Sequence, residues 1–308
     1  MENVRIGVIG VGHLGQHHAR LLASMDGVDL VGVCDVNRVR AAEVGAKFSA
    51  PAVSDSRELL GRVDAVTIAV PTVAHLDVGL PFLHAGVATL IEKPIAPSVA
   101  DADRLVEAAE RGGAMLAIGH TERFNPAVAA ALPMISQPRF IEIHRLGTFP
   151  ERSLDIDVIF DLMIHDLDLL LSVVRSEVTS IEAVGVNVLT PKADIANARL
   201  RFASGCIANV TASRISRERV RKARFFQNDA YVSIDYAAQE LEVFRLVKNG
   251  PRPIIHGGKV EVANEEPLRR ELADFVDAVR NGRKPGVTGR DGRLALELAT
   301  RVADTMGL

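Results

Sequence analysis

The 308-residue chain has only two cysteines, no long apolar run and little excess of either charge. Two cysteines, one of them in a predicted buried strand, argue against a disulfide framework and favour a reducing compartment. Without an apolar run of about 20 residues there is no candidate transmembrane helix. A net charge of −3 gives no bulk attraction to nucleic acid or to anionic membranes. Because the first residues also lack the features of a secretory signal, we expect a cytoplasmic protein with neither kind of partner.

What the chain does have is a hydrophobic content of 48%, enough to bury a large core in two domains. Up to residue 119, short apolar runs alternate with helical patterns. Predicted strands are 4–9, 28–34, 65–70, 89–92 and 115–118, and predicted helices are 16–25, 38–48, 75–85 and 99–111. This alternation predicts an α/β fold with a doubly wound parallel sheet over residues 1–120.

The pattern changes in the second part of the chain, residues 121–308. Predicted strands are 139–148, 182–189, 197–202, 207–213, 230–234 and 241–246, and predicted helices are 158–174, 268–280 and 293–306. We expect an α+β domain with a large open mixed or antiparallel sheet. Because one face of that sheet needs a cover, the chain is expected to form a homodimer or homotetramer through it.

A glycine-rich turn, Gly10-Val11-Gly12-His13-Leu14-Gly15, joins the first predicted strand to the first helix. Gly10 permits the tight turn, Gly12 lets the backbone approach a pyrophosphate, and Gly15 lets the helix pack closely. The helix N-terminus offers N–H groups to the anion. Asp35, 20 positions beyond Gly15, is placed for the ribose hydroxyls of an adenosine. Its carboxylate would repel a 2′-phosphate, so NAD is expected, with NADP as the alternative because two arginines follow closely.

Glu92-Lys93-Pro94 ends a predicted strand at the cofactor edge of the same sheet. A lysine there can hydrogen-bond a reacting hydroxyl, and the pKa of a lysine falls readily near a cationic nicotinamide. Pro94 restricts Lys93 to an extended conformation and permits a cis bond. Taken alone, Lys93 is better interpreted as a solvated lysine at a strand end, and only its context favours catalysis.

The predicted helix 158–174 carries polar residues among apolar ones. At about 100° per residue, Asp161, His165 and Asp168 lie in one narrow stripe. Burying such a stripe is costly without a purpose, which favours catalysis over a helix-to-helix hydrogen-bond network. The spacing also suits metal ligands, but no cysteine or second histidine lies at a matching spacing, and we expect no metal.

The chain resembles the Gfo/Idh/MocA oxidoreductases over nearly its whole length. The resemblance rests on the glycine turn, Val70-Pro71-Thr72 with His75, Glu92-Lys93-Pro94, and Asp161 with His165. It implies a Rossmann domain, bound NAD(P), an open sheet used in oligomerisation and a sugar or cyclitol hydroxyl as the reacting group. It also implies that Lys93, Asp161 and His165 are catalytic. Residues assigned to the cofactor are Gly10, Gly12, His13, Leu14, Gly15, Asp35, Pro71, Thr72, His75, Glu92 and Lys93.

Two further segments bear on the substrate. Residues 119–126 contain Arg123 and Asn125, which could bind substrate near the nicotinamide or simply form a capped linker. In the basic stretch 214–224, alternation predicts that three cations align on one strand face and suit a diphosphate; these are Arg217, Arg219 and Arg221. A solvated face is the alternative, and nucleic acid is disfavoured because no aromatics are interleaved.

The approach to Asp161, residues 156–160, departs from the glycine-rich form of many family members and indicates a subgroup. The basic stretch, the Asp161–Asp166 segment and Phe225-Phe226-Gln227 resemble members acting on UDP-N-acetylglucosamine, which oxidise its 3-hydroxyl ahead of amination for lipid A. The expected activity is therefore NAD-dependent oxidation of a sugar hydroxyl, with His165 as base and also in contact with substrate. Alternatives are a dehydrogenase of a free monosaccharide or inositol, a non-catalytic nucleotide sensor, and an NAD-dependent glycosidase.

Overall fold

The computed structural model describes residues 2–149, 156–248 and 252–307. The chain divides into two compact units. Unit 1 comprises Met1–Thr121 and Pro267–Arg293, and unit 2 comprises Glu122–Glu266 and Leu294–Leu308. A late segment of the chain, 267–293, therefore belongs with the N-terminal part rather than with the residues around it.

The described residues contain eight α-helices. They are α1 (Gly15–Leu22), α2 (Arg38–Phe48), α3 (His75–His84), α4 (Val99–Gly112), α5 (Pro126–Ala131), α6 (Ile164–Val174), α7 (Pro267–Asn281) and α8 (Gly289–Thr305). Side-chain caps define several starts, as where Asn37 accepts a hydrogen bond from the Arg40 N–H and Ser98 accepts one from Asp101. Gly113, with positive φ, ends α4.

The sheet of unit 1 has six strands, all parallel. They are β1 (Val4–Ile9), β2 (Val28–Cys34), β3 (Ala52–Val53), β4 (Ala65–Ile68), β5 (Ala88–Glu92) and β6 (Leu116–Gly119). Their spatial order is β3-β2-β1-β4-β5-β6, so the winding reverses between β1 and β4. This is the order of a dinucleotide-binding fold, whose ligand lies at the carboxyl ends of the strands near that reversal. The predicted doubly wound parallel sheet is confirmed.

Unit 2 has an eight-stranded sheet. Its strands are β7 (Phe140–Leu146), β8 (Val178–Val186), β9 (Ile195–Phe202), β10 (Ile207–Ser213), β11 (Val220–Phe226), β12 (Ala230–Asp235), β13 (Glu240–Val247) and β14 (Ile254–Val260). The order is β14-β13-β12-β11-β7-β10-β9-β8; β7 and β10 are parallel and the other pairs antiparallel. The predicted large mixed sheet is confirmed.

Each sheet buries apolar side chains against helices. In unit 1, α7 contributes Leu272 and Phe275 to the core that β1 and α1 also line. In unit 2, one sheet face packs on α5, α6 and α8, while side chains of the other face alternate outwards and stay half-exposed.

The predicted helix 158–174 is confirmed in its bounds, although its first part, Ile159–Met163, is π-helical before α6 begins. One expectation about local structure is wrong. The basic stretch enters its strand only at Val220, because the turn before it is held by hydrogen bonds from Ile215 N and Ser216 Oγ to Ser213 Oγ. Of the three aligned cations expected, only Arg221 therefore lies on β11; Arg217 and Arg219 precede it.

Candidate active site

The glycine turn has the geometry of a phosphate-binding loop. Gly10 has φ +80°, and a Cβ there would lie 2.7 Å from the Ala69 carbonyl oxygen. A Cβ at Gly15 would lie 1.7 Å from the Gly10 carbonyl oxygen. A Cβ at Gly12 would meet no atom within 4 Å. Neighbouring backbone atoms therefore account for glycine at positions 10 and 15. At position 12 no protein atom requires glycine, and its lack of a side chain leaves room for a pyrophosphate to approach the backbone.

Asp35, at the end of β2, is fixed by the backbone of this loop. Its Oδ2 accepts a hydrogen bond from Val11 N at 2.9 Å, and its Oδ1 accepts one from Asn37 N at 2.9 Å. Each carboxylate oxygen still has a lone pair for a ribose hydroxyl. Arg40 donates from Nε to the Val11 carbonyl at 3.0 Å, which ties α2 to the same loop. The loop and the acid fit an NAD adenosine and pyrophosphate.

The other residues assigned to the cofactor differ in their exposure. His13, Leu14 and Pro71 are exposed and Thr72 is half-buried, at the carboxyl edge of the sheet. His75 is buried instead: its ring nitrogens lie 3.0 Å from the Val70 carbonyl and 2.9 Å from the Pro94 carbonyl. Burial lowers the pKa of the imidazole, with the carbonyls acting in the opposite sense. His75 therefore braces the turns after β4 and β5 against each other.

Lys93 follows β5 at the same edge and is half-buried. The Lys93–Pro94 peptide bond is cis, as the sequence permitted. Glu92 is buried, and its Oε1 lies 3.0 Å from Nε2 of the buried His18. Lys93 therefore lies at the edge of the sheet, whereas the neighbouring Glu92 is enclosed behind it.

In unit 2, Asp161 and His165 lie on one continuous helical segment. Asp161 is in the π-helical turn and His165 in the first turn of α6, and both are half-buried. Asp157 anchors the start, since its carbonyl accepts from Phe160 N and Asp161 N, and its Oδ1 accepts from Ala193 N at 2.7 Å. π-Helical turns widen the spacing of side chains and recur at functional sites.

Asp168 does not join Asp161 and His165 in one polar stripe. It is buried and accepts two hydrogen bonds from Arg123, at 2.7 and 3.0 Å. For Asp168, the alternative interpretation, a hydrogen-bond network, therefore fits the structure. Asn125 is also used by the fold: its Oδ1 caps α5 through Ala127 N, and its Nδ2 donates to the Tyr236 carbonyl at 3.0 Å. For Asn125 the capped-linker interpretation therefore fits the structure.

A buried arginine centre beside α6 was missed by the sequence analysis. Arg145 makes two 2.8 Å hydrogen bonds to Asp166 and one of 2.8 Å to Glu122, and its guanidinium stacks 5.4 Å from the Tyr236 ring centre. Burial opposes its charge, but the Asp166 and Glu122 carboxylates outweigh this and raise the pKa of Arg145. The only sequence signal for this arginine centre was the pair of acids next to His165. If buried, those acids need basic partners.

Some cations of the basic stretch are buried and serve the fold, and others are exposed and could bind a ligand. Arg214 is buried and donates to Asp194 Oδ1 at 2.8 Å and to the Ile156 carbonyl at 2.7 Å. Arg217 and Arg219 are exposed. Arg221 reaches solvent, yet partial burial first and the Arg145 charge second lower the pKa of its guanidinium. Arg221 is thus a cation whose surroundings would favour a nearby anion.

Comparison with known proteins decides the family. Residues 4–120 match the family described as "Oxidoreductase family, NAD-binding Rossmann fold", and residues 136–232 match the GFO/IDH/MocA C-terminal domain. The chain belongs to the Gfo/Idh/MocA oxidoreductase family. The resemblance inferred from the sequence motifs is thereby confirmed, together with an NAD-binding Rossmann fold.

Similarity extends over whole chains. A UDP-N-acetylglucosamine 3-dehydrogenase from Acidithiobacillus ferrooxidans is 42% identical over 98% of both chains. An inositol 2-dehydrogenase from Acidothermus cellulolyticus is 30% identical over 98% of this chain and 92% of that one. A solved structure of the Acidithiobacillus enzyme superposes with a TM-score of 0.93 at 40% identity, covering 99% of this chain and 98% of that one. Within the described residues, no helix combines the length and hydropathy needed to cross a bilayer.

Proposed function

We propose that this oxidoreductase is an NAD-dependent dehydrogenase that oxidises the 3-hydroxyl of UDP-N-acetylglucosamine or of a related UDP-sugar. The observation that carries the proposal is the full-length similarity to an enzyme of that name. The cofactor loop supports it independently, through the open approach at Gly12 and the fixed carboxylate of Asp35. NAD is preferred in this proposal because that carboxylate would repel a 2′-phosphate.

The proposed chemistry assigns one role to each of three side chains. His165 takes the proton of the substrate hydroxyl, since an imidazole titrates near neutral pH. Lys93 donates a hydrogen bond to the same oxygen and stabilises negative charge that develops on it. Asp161 orients the lysine or the substrate. NAD, when bound, accepts the hydride that leaves the carbinol carbon, so that the secondary alcohol becomes a ketone.

The nucleotide part of the substrate is assigned to the basic stretch. Arg221 supports this, because burial and the neighbouring Arg145 disfavour its charge and a diphosphate would compensate for both. Arg217 and Arg219 are exposed just ahead of β11 and extend the positive surface. Arg123 is a weaker candidate, since Asp168 already occupies its guanidinium.

We also propose that the half-exposed face of the large sheet is covered by a second copy of the chain, in a homodimer or homotetramer. A row of rings crosses this face, with centres 5.6 Å apart for Phe140 and Phe226, 5.1 Å for Phe226 and Tyr231, and 6.2 Å for Tyr231 and Phe244. Such a row favours burial against an apolar surface.

A cytoplasmic role ahead of amination for lipid A belongs to the same proposal. Cys34 and Cys206 are both free, and burial raises the pKa of each thiol to about 11. Both thiols therefore stay protonated and unreactive, in keeping with a reducing compartment.

A ligand panel and two variants test the activity. Thermal shifts with UDP-sugars, free sugars and inositols, each with NAD or NADP, identify what binds, because ligands raise the melting temperature of the state they bind. NADH absorbance then measures turnover. We expect Lys93→Met and His165→Ala to bind NAD normally and to lose roughly 100-fold or more in kcat. The exposed residues Lys284 and His84 provide control variants, Lys284→Met and His84→Ala, which should keep full turnover.

The outcomes separate the alternatives. Turnover of inositol without turnover of any UDP-sugar would favour the inositol 2-dehydrogenase activity of the second relative. Binding without turnover would indicate a sensor, and release of nitrophenol from a nitrophenyl glycoside would indicate a glycosidase. Wild-type turnover in both Lys93→Met and His165→Ala would remove the catalytic assignment.

A further inference from the structure

The chain just ahead of Asp161 is held by a distant part of the sequence. Asp157 is only 8% exposed, and its Oδ1 accepts a 2.7 Å hydrogen bond from Ala193 N, 36 positions further along the chain. In return, Val158 N donates to the Ala193 carbonyl at 3.2 Å. Two hydrogen bonds therefore join residues 157–158 to one buried residue of the same unit.

Asp157 also binds the π-helical turn that carries Asp161. Its backbone carbonyl accepts hydrogen bonds from Phe160 N and Asp161 N, both at 3.1 Å. The first N–H groups of a helical segment have no partner inside it, so a preceding carbonyl that accepts two of them fixes where the segment begins. The side chain of Asp157 is thus tied to Ala193, and its carbonyl to the amide of Asp161.

Ala193 belongs to a loop that is itself fixed, the 187–194 loop between β8 and β9. Asp194 is fully buried, and its Oδ2 accepts hydrogen bonds at 2.6–2.9 Å from the N–H groups of residues 188–190. Its Oδ1 accepts from Arg214 Nε at 2.8 Å, and the same guanidinium donates to the Ile156 carbonyl at 2.7 Å. Arg214 and the 187–194 loop therefore hold two consecutive residues, 156 and 157.

The buried hydrogen bond of Asp157, and not its charge, makes the stronger connection. Lys192 Nζ lies 3.7 Å from Asp157 Oδ2, but the lysine side chain is 48% exposed, and such an ion pair contributes little. Loss of the acceptor would instead leave the N–H of the buried Ala193 without its partner. An amide oxygen in place of the carboxylate would keep that hydrogen bond.

We propose that Asp157 is a positioning residue, which transmits the fixed geometry of the 187–194 loop to the backbone from which the Asp161 carboxylate extends. The role in turnover rests on the proposed catalytic function of Asp161. Residues 156–160 are also the segment in which this sequence departs from the glycine-rich approach of many family members. In this chain an anchored side chain fixes that approach.

The anchor is tested on the free protein, without substrate. Amide hydrogen exchange is followed by mass spectrometry on peptides that span residues 156–163. Asp157→Ala removes the acceptor and should speed exchange in this segment by about three- to tenfold, the equivalent of one hydrogen bond. Asp157→Asn keeps an acceptor oxygen and should exchange like wild type. Unchanged exchange in Asp157→Ala would overturn the anchor.

Positioning is tested by turnover of UDP-N-acetylglucosamine with NAD. Asp157→Ala should lower kcat by about 10- to 100-fold, because a small displacement of a catalytic group has a cost of that order. The KM for NAD should not change, since the residues assigned to the cofactor all lie in unit 1. Asp157→Asn should restore kcat. An equal loss of kcat in Asp157→Asn, or wild-type kcat in Asp157→Ala, would overturn the role.

Two control variants separate positioning from a general loss of stability. Lys192→Met removes only the exposed ion-pair partner of Asp157 and should keep wild-type kcat. Asp274 on α7 accepts a 2.7 Å hydrogen bond from Gly286 N in unit 1, so it is a backbone anchor of the same kind. Asp274→Ala should therefore lower the melting temperature but keep kcat. A fall in kcat for Asp274→Ala as large as that for Asp157→Ala would assign both losses to stability and overturn positioning.

A double-mutant cycle tests whether Asp157 acts through Asp161. In an Asp161→Asn background, Asp157→Ala should lower kcat by less than about threefold further, because the effects of residues that act as a unit do not add. The same loss of kcat in both backgrounds would show a merely structural role and would overturn the proposal.

Two remaining outcomes are also decisive. If Asp157→Ala does not fold, Asp157→Glu replaces it: the longer side chain displaces the turn or loses the Ala193 hydrogen bond, so kcat should still fall at least about tenfold. Wild-type kcat in Asp157→Glu would then overturn positioning. If wild type turns over none of the substrates offered, the proposed function fails by itself, and hydrogen exchange still decides whether Asp157 anchors the turn.

Discussion

Gly12 offers a test that separates cofactor binding from folding. A Cβ at this position meets no atom of the protein within 4 Å. We therefore expect Gly12→Ala to leave the free energy of unfolding unchanged or to raise it by about 0.4–1 kcal/mol, because alanine reduces the entropy of the unfolded chain. The methyl group would instead occupy the approach of the pyrophosphate. Losing one charged hydrogen bond of about 1.5–3 kcal/mol corresponds to NAD binding at least about tenfold weaker.

Gly15→Ala is the matched comparison on the same loop. Its Cβ would lie 1.7 Å from the Gly10 carbonyl oxygen and 2.8 Å from the Gly10 carbonyl carbon, so backbone has to move. We expect a loss of at least about 1–3 kcal/mol of stability, the usual cost of overpacking. Urea unfolding followed by circular dichroism gives the stabilities, and isothermal titration calorimetry gives the NAD affinity. Wild-type affinity in Gly12→Ala, or a loss of stability equal to that of Gly15→Ala, would refute the reasoning.

Two further predictions concern unit 2. Asp194→Asn should cost about 3–5 kcal/mol at pH 7, because Arg214 is left buried without its carboxylate. Burial opposes the charge of Asp194, but N–H groups of the 188–190 turn and Arg214 lower its pKa, so this stability is present above about pH 3.9 and lost as pH falls through the lowered value. A difference between wild type and variant in urea unfolding that persists unchanged at low pH would contradict this. Phe226→Glu places a charge in the row of rings and should shift sedimentation velocity towards a monomer, whereas Val39→Glu on the exposed side of α2 should not. Identical sedimentation of the two variants would argue against the sheet face as the subunit contact.

Unit 1 was largely predictable because its signals are local. The predicted spans of β2 and α2 match the structure residue for residue, since an apolar run, an Asn37 cap and helical periodicity act within a few positions. The glycine turn and Asp35 likewise occur at the expected strand ends. Here the chemistry of each residue type determines the backbone it occupies.

The features that were missed depend on contacts between residues far apart in the chain, which a single sequence does not specify. Asp166 and Asp168 are neutralised by Arg145 and Arg123, which lie 21 and 45 positions away along the chain. The expected stripe assumed regular α-helical spacing, and the π-helical turn at Asp161 changes that spacing without a periodic signal. β14 was missed because its residues are largely exposed and include two glycines, so the alternation typical of a half-buried strand is absent.

Helix α7 gives the N-terminal sheet an unusual dependence on the late part of the chain. Its buried residues Leu272 and Phe275 cover apolar surface shared with β1 and α1, although they are synthesised after the whole of the eight-stranded sheet. During translation that surface has no cover until residues 267–281 have left the ribosome. Contacts between such distant segments slow folding and leave apolar surface accessible to chaperones in the meantime. A fragment ending at residue 121 would keep the glycine turn and Asp35 but would expose this surface permanently, so the dinucleotide-binding half needs the late helix to complete its core.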